Sequence, residues 1–114
     1  INVDWLNVQL AKGRNKALIE GRMRFWDDSL LRFQEELVES DIVAAVIDYV
    51  YHYQSADGAL LFRYDNSPHY LDIATFPHHK HVGAGDSETV EAAQPPTLLE
   101  VLREIEAMLY ASRG

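Results

Sequence analysis

Residues 18–38 read LIEGRMRFWDDSLLRFQEELV, two runs rich in apolar residues on either side of Asp27-Asp28-Ser29. The length of the loop decides what these runs become. A two-residue loop sets Met23 opposite Arg32 and Arg22 opposite Phe33, which mixes polar and apolar side chains on both faces. A three-residue loop sets Trp26 opposite Leu30. It then gathers Ile19, Met23, Phe25, Leu31, Phe33 and Leu37 on one face, with Glu20, Arg22, Arg24, Arg32, Gln34 and Glu36 on the other. A one-residue slip turns a strand over, so the three-residue loop is the consistent choice. In that register Glu35 lies on the apolar face opposite Gly21, where an unpartnered carboxylate is costly.

A second hairpin follows over 42–54 and 59–65. With Asp57-Gly58 as a two-residue turn, Tyr53 faces Phe62 and Tyr51 faces Tyr64. His52 then faces Arg63, and Val50 faces Asp65. The stripe Tyr49, Tyr51, Tyr53 is expected to pack beneath a helix rather than to stack bases. After Asn66-Ser67-Pro68 the chain loops and returns as a short strand near 78–82. Pro95-Pro96 leads into a helix capped by Thr97 with Glu100 three residues on. Leu98, Val101, Leu102, Ile105, Met108 and Leu109 form its single apolar stripe. The expectation is a single domain over 1–114 of α+β class: a four- to five-stranded antiparallel sheet with the C-terminal helix packed on one face. Residues 1–12 are uninformative, although Trp5, Leu6, Val8 and Leu10 are compatible with a short strand or helix. The stretch 83–96 is expected to be a flexible loop.

The chain has 114 residues, a net charge of −8 from 10 Lys+Arg and 18 Asp+Glu, 47% hydrophobic residues and no cysteine. Disulfides and thiolate metal sites are excluded, no apolar run is long enough to span a bilayer, and a cytoplasmic protein is expected. The chain opens on Ile1 with no charged-then-apolar leader, so no signal peptide is expected. The acidic balance argues against broad attraction to nucleic acid. The charges are unevenly placed, however. Residues 33–60 carry six acids, including Asp41, and no base, and residues 86–106 carry six acids against Arg103 alone. Residues 12–24 hold Lys12, Arg14, Lys16, Arg22 and Arg24 against Glu20. The acidic blocks are a candidate surface for a basic partner protein.

The densest chemistry lies in Arg63-Tyr64-Asp65-Asn66-Ser67-Pro68-His69 and Phe76-Pro77-His78-His79-Lys80-His81, with four histidines within 13 residues. One reading is acid–base cleavage of an RNA phosphodiester without a metal or other cofactor. Histidine serves as base and acid near neutral pH, and the arginine fork suits phosphate. His52, Arg63 and Asp65 share a hairpin face, and His69, His79 and His81 follow closely in the chain. Arg22, Arg24 and Arg32, with Asn66, His78 and Lys80, are the candidate substrate contacts. A second reading is a zinc site: His79 and His81, two apart in a strand, point the same way, with His69 or Asp65 as third ligand. That reading makes the chain a metal-dependent hydrolase or a nucleotide-modifying enzyme. The structural alternative pairs Arg63 with Asp65 or an acid of the 33–60 block and leaves His78 and His79 on an exposed edge. A third function class is a non-catalytic interaction domain.

Tyr51-His52-Tyr53-Gln54, Leu61 through His69, Thr75 through His81, and Pro96 through Leu102 together closely resemble the TumE family, the toxin halves of prokaryotic toxin–antitoxin modules. The resemblance covers roughly residues 18 to 106. Tyr70 stands where the family pattern often has a second histidine. The resemblance implies a small toxin neutralised by a protein antitoxin encoded beside it. Ribonuclease activity is frequent among such toxins, which agrees with the acid–base reading by analogy. The family's polar motif corresponds to Arg63, Asp65, Asn66, His69, His78, His79 and His81. On the acid–base reading, Arg63 is assigned to phosphate, one of His69, His79 and His81 to base or acid, and Asp65 to orienting a histidine.

Overall fold

The structure is a computed structural model that describes residues 1–11, 15–39 and 44–113. Lys12, Arg14, Asp41 and the first two residues of the strand expected from residue 42 lie outside the described residues. Seven strands form one sheet in the order of the chain: β1 (Asn2–Ala11), β2 (Lys16–Arg24), β3 (Leu30–Glu39), β4 (Ala44–Gln54), β5 (Leu60–Asp65), β6 (His79–Ala84) and β7 (Ser87–Ala92). Every neighbouring pair is antiparallel. The helix α1 (Leu98–Arg113) follows β7.

The expectation of four to five strands is therefore corrected to seven. Both additional strands lie at the edges. Residues 1–12, uninformative in sequence, hold β1, and 83–96, expected as a flexible loop, holds the end of β6 and all of β7. β1 hides its period because the register shifts between Val3 and Trp5, which interrupts the alternation. β7 is exposed except for the half-buried Val90, so it carries almost no apolar signal. A two-residue Gly85-Asp86 turn joins Ala84 to Ser87, and Gly85 has φ +65°, the backbone a tight hairpin asks for.

The first hairpin keeps the expected faces with its register moved by two residues. Its three-residue loop is Trp26-Asp27-Asp28, because Phe25 N donates to Ser29 O at 3.0 Å. Met23 lies opposite Leu31, Gly21 opposite Phe33 and Ile19 opposite Glu35. Glu35 thus faces Ile19 rather than Gly21, and Tyr51 Oη donates to it at 2.6 Å. Gly21 is needed there, because a Cβ would stand 2.8 Å from Phe33 Cε1. In the second hairpin the expected pairs Tyr53–Phe62, Tyr51–Tyr64, His52–Arg63 and Val50–Asp65 are all present. They are reached by a longer turn, with Ser55 N donating to Ala59 O, and a bulge beyond it restores the register.

The core lies between one sheet face and α1. Phe25, Leu31, Phe33, Tyr49, Tyr51, Tyr53 and Phe62 meet Val101, Ile105 and Leu109. The tyrosine stripe packs under the helix, as expected. Thr97 and Glu100 form the reciprocal cap, at 3.0 and 3.1 Å. Glu104 fixes α1 to the sheet by accepting from Tyr64 Oη at 2.6 Å and Lys80 Nζ at 2.8 Å. The opposite face carries no helix, and there the polar residues of β2 to β6 collect.

Candidate functional site

Alternation along β5 sends Phe62 and Tyr64 to the helix side and Arg63 and Asp65 to the open face. β6 pairs Arg63 with His81 and Asp65 with His79, so both histidines share that face. His52, opposite Arg63 on the other side, joins them from β4. The connection from Asn66 to His78 brings His69 and Tyr70 over this end of the sheet. An open cavity of about 500 Å³ results, lined among others by His52, Arg63, His69, Tyr70, His81 and Glu88.

Asp65 is the hub, and it is 3% exposed. It accepts from Ser67 N at 3.0 Å and from Arg63 Nε at 3.0 Å. His79 Nε2 lies 2.9 Å from Asp65 Oδ1, and His81 Nε2 lies 3.6 Å from Oδ2. Burial works against the Asp65 carboxylate, but the Ser67 amide, the Arg63 guanidinium and His79 outweigh it and hold its pKa below the ordinary range. His79, 1% exposed, donates through Nδ1 to Pro77 O at 2.9 Å. Its Nε2 stands near Asp65 but makes no hydrogen bond of proper geometry. In a neutral ring that nitrogen presents its lone pair to the carboxylate, an arrangement completed by a proton or a cation. His81 also has Nδ1 3.5 Å from Glu88 Oε1. Tyr70 packs edge-on against both rings, at 4.8 Å from His79 and 5.6 Å from His81.

Asp65, His79 and His81 are one group whose ligand atoms all lie within 4.8 Å of one another. His69, the third ligand considered beside Asp65, lines the cavity but stands outside this group.

Three of the expected substrate contacts lie elsewhere. Lys80 alternates to the helix side and is held by Glu104. Asn66 braces the loop, donating to Ile47 O at 2.8 Å and accepting from Tyr49 N at 3.3 Å. His78 stacks on Tyr49 and shares a 2.9 Å hydrogen bond with its hydroxyl. On the open face, Arg22 and Arg24 pair with Asp4 at 2.9 and 3.4 Å. Arg32 lines a second cavity of about 310 Å³, with Trp5, Glu20, His52 and Arg63 among its neighbours. Trp5, Tyr70 and Glu88 are participants the sequence reading did not assign to the site. For Glu88 the available signal was the Gly85-Asp86 dipeptide, a hairpin turn that carries the chain back beside His81.

His52 is half-buried between two arginines. Burial lowers its pKa, and Arg63 and Arg32 lower it further, against the opposing hydrogen bond with Gln54. The unfolded chain takes up this proton near the ordinary value of about 6.5 while the folded chain resists it. The unfolded state then binds more protons, so stability falls as pH drops below that value. His52→Gln is expected to flatten this part of the stability–pH curve in urea titrations. Identical slopes for the two proteins would contradict it.

Among the described residues no helix is long and apolar enough to cross a membrane. No match is found among curated proteins or solved structures. The family model for Toxin TumE matches residues 4–109, from within β1 to Leu109 in α1. The chain belongs to the TumE toxin family, the toxin of a toxin–antitoxin module whose partner is an antitoxin.

Proposed function

We propose that this toxin cleaves RNA at the open face of the sheet. The observation that carries the reading is one cavity that brings together Arg63, His69 and His81, with Asp65 buried behind them. Arg63 spends Nε on Asp65, which leaves its two terminal amino groups for a phosphate. One of His69 and His81 takes the proton of the 2′-hydroxyl as O2′ forms its bond to phosphorus. The P–O5′ bond breaks, and the other histidine gives its proton to O5′. The products are a 2′,3′-cyclic phosphate and a 5′-hydroxyl end, so atoms and protons balance without a co-reactant. His79 is too buried to meet substrate and acts as a positioning residue that keeps Asp65 and His81 in place. Glu88 faces the second nitrogen of His81, a partner to which the protonated ring can donate.

The test is sequencing of cellular RNA ends after induction of the toxin. New, discrete cut sites are expected. Their absence from mRNA, tRNA and rRNA overturns the reading.

A second reading is favoured by the unpartnered Nε2 of His79 beside Asp65 and His81. Two imidazoles and a carboxylate are a familiar donor set for zinc in hydrolases, and the open cavity leaves space for substrate. Elemental analysis of protein purified without a metal-affinity tag decides between the two. The acid–base reading expects no stoichiometric zinc, even after incubation with zinc and gel filtration. One zinc per chain, lost in His79→Ala, selects the metal-dependent reading.

A further inference from the structure

Successive strand pairs place Trp5 opposite Arg22, Arg22 opposite Arg32, Arg32 opposite His52, His52 opposite Arg63, and Arg63 opposite His81. All of them lie on the face away from α1. At about 4.8 Å between strands, the five basic side chains form a row roughly 19 Å long, running across the strands. We propose that this row is a track for single-stranded RNA, with phosphates on Arg22, Arg32 and Arg63 and an unpaired base stacked on Trp5. The proposal rests on the RNA reading above and adds the form of the substrate and the path it takes.

Like charges directly opposite one another destabilise a sheet, and here Arg22 opposes Arg32 while His52 stands between Arg32 and Arg63. The fold neutralises this row only in part. Asp4 takes Nε of Arg22 and Asp65 takes Nε of Arg63, whereas Arg32 has no ion pair among the described residues. Glu20, which lines the same cavity as Arg32, accepts from Asn7 at 3.3 Å. His52 adds a buried Nδ1 without a hydrogen-bond partner. An arrangement that costs the free protein stability is offset once an anion lies along it. The 310 Å³ and 500 Å³ cavities share His52 and Arg63 in their walls, so they lie side by side along the row, one lined by Trp5 and the other by His81.

Trp5, 38% exposed at the far end, points to a nucleic acid rather than an acidic peptide. It also points to a single strand, because bases within a duplex already stack on one another. A track of this length suits about four nucleotides, the short end for a small sheet domain. The net charge of −8 already counts the arginines of the row, so the rest of the chain is strongly acidic and confines binding to the row.

The probe is a fluorescein-labelled 2′-O-methyl uridine octamer, which cannot be cleaved through its 2′-oxygen, followed by anisotropy. Binding is expected with a log–log salt slope of about −2, for three phosphates on a single strand. Arg32→Ala is expected to bind more weakly and with the slope reduced by about 0.7, and Arg32→Lys to restore most of both. Trp5→Ala is expected to lose between about fivefold and a hundredfold in affinity at unchanged slope. Circular dichroism of each variant confirms folding. Unchanged affinity in Arg22→Ala, Arg32→Ala and Trp5→Ala overturns the track. So does equal binding of a duplex RNA, or displacement of the octamer by oligoglutamate at equal concentration, which assigns the row to an acidic peptide. Cleavage of ordinary RNA that ignores these three substitutions overturns the track and leaves the ribonuclease reading intact. Track-dependent binding by a protein that never cleaves RNA has the opposite outcome.

Discussion

Asp65→Ala is expected to lower folding stability by about 3–5 kcal/mol, the usual cost of removing one partner from a buried charged network. Asp65 is nearly inaccessible and holds three things at once: the Ser67 amide that starts the 66–78 loop, the Arg63 side chain and the two β6 histidines. Without it, the Ser67 amide and the Nε of Arg63 lose their acceptor, and His79 loses the group it faces. A domain of this size has about 5–15 kcal/mol in total, so the variant should unfold at much lower urea. Asp65→Asn separates charge from shape. It keeps an oxygen for Ser67 N and should fold better than the alanine variant, yet it no longer balances the charge of Arg63. Urea titration of both variants, with a growth assay on expression, checks this. Wild-type stability in Asp65→Ala would show that the hub is not structural.

Arg63→Ala is expected to lower RNA cleavage by about 10²–10³-fold, the usual loss when one preorganised donor to a developing charge is removed. The fold should be retained, because the Arg63 side chain is 39% exposed and Asp65 keeps its Ser67 and His79 neighbours. Arg63→Lys keeps the charge without the planar fork, so an intermediate rate is expected. The matched readout is single-turnover cleavage alongside the urea midpoint. Full activity in the alanine variant would remove Arg63 from the chemistry. Equal loss of activity and stability would make it a structural residue.

The faces of the two hairpins were legible in the sequence because side chains alternate with a period of two. The first hairpin moved by two residues, and that leaves every residue on its expected face. Turn chemistry was less legible: in the second hairpin a longer loop and a bulge offset one another, so the pairs were right while the turn was not. β1 and β7 escaped because edge strands need no buried face, and the register shift at Val3/Trp5 broke the alternation that remained. The pairing of Arg63, Asp65 and His52 could be read from one hairpin. Facing His79 and His81 onto Arg63 and Asp65 depended on how a loop of 13 residues, 66–78, returned to the sheet. Asn66, His78 and Lys80 show the limit of reading chemistry from density in sequence. They sit among the motif residues, but a single step of alternation or a bracing contact turns each away from the cavity.

The most direct test of RNA cleavage through the 2′-hydroxyl is the chemistry of the ends. Purified toxin is incubated with a single-stranded RNA oligonucleotide in EDTA, and the fragments are weighed by mass spectrometry. The account predicts fragments ending in 2′,3′-cyclic phosphate and beginning in 5′-hydroxyl, formed by the wild type and strongly diminished in Arg63→Ala. Intact RNA, or fragments with 5′-phosphate ends, would contradict it.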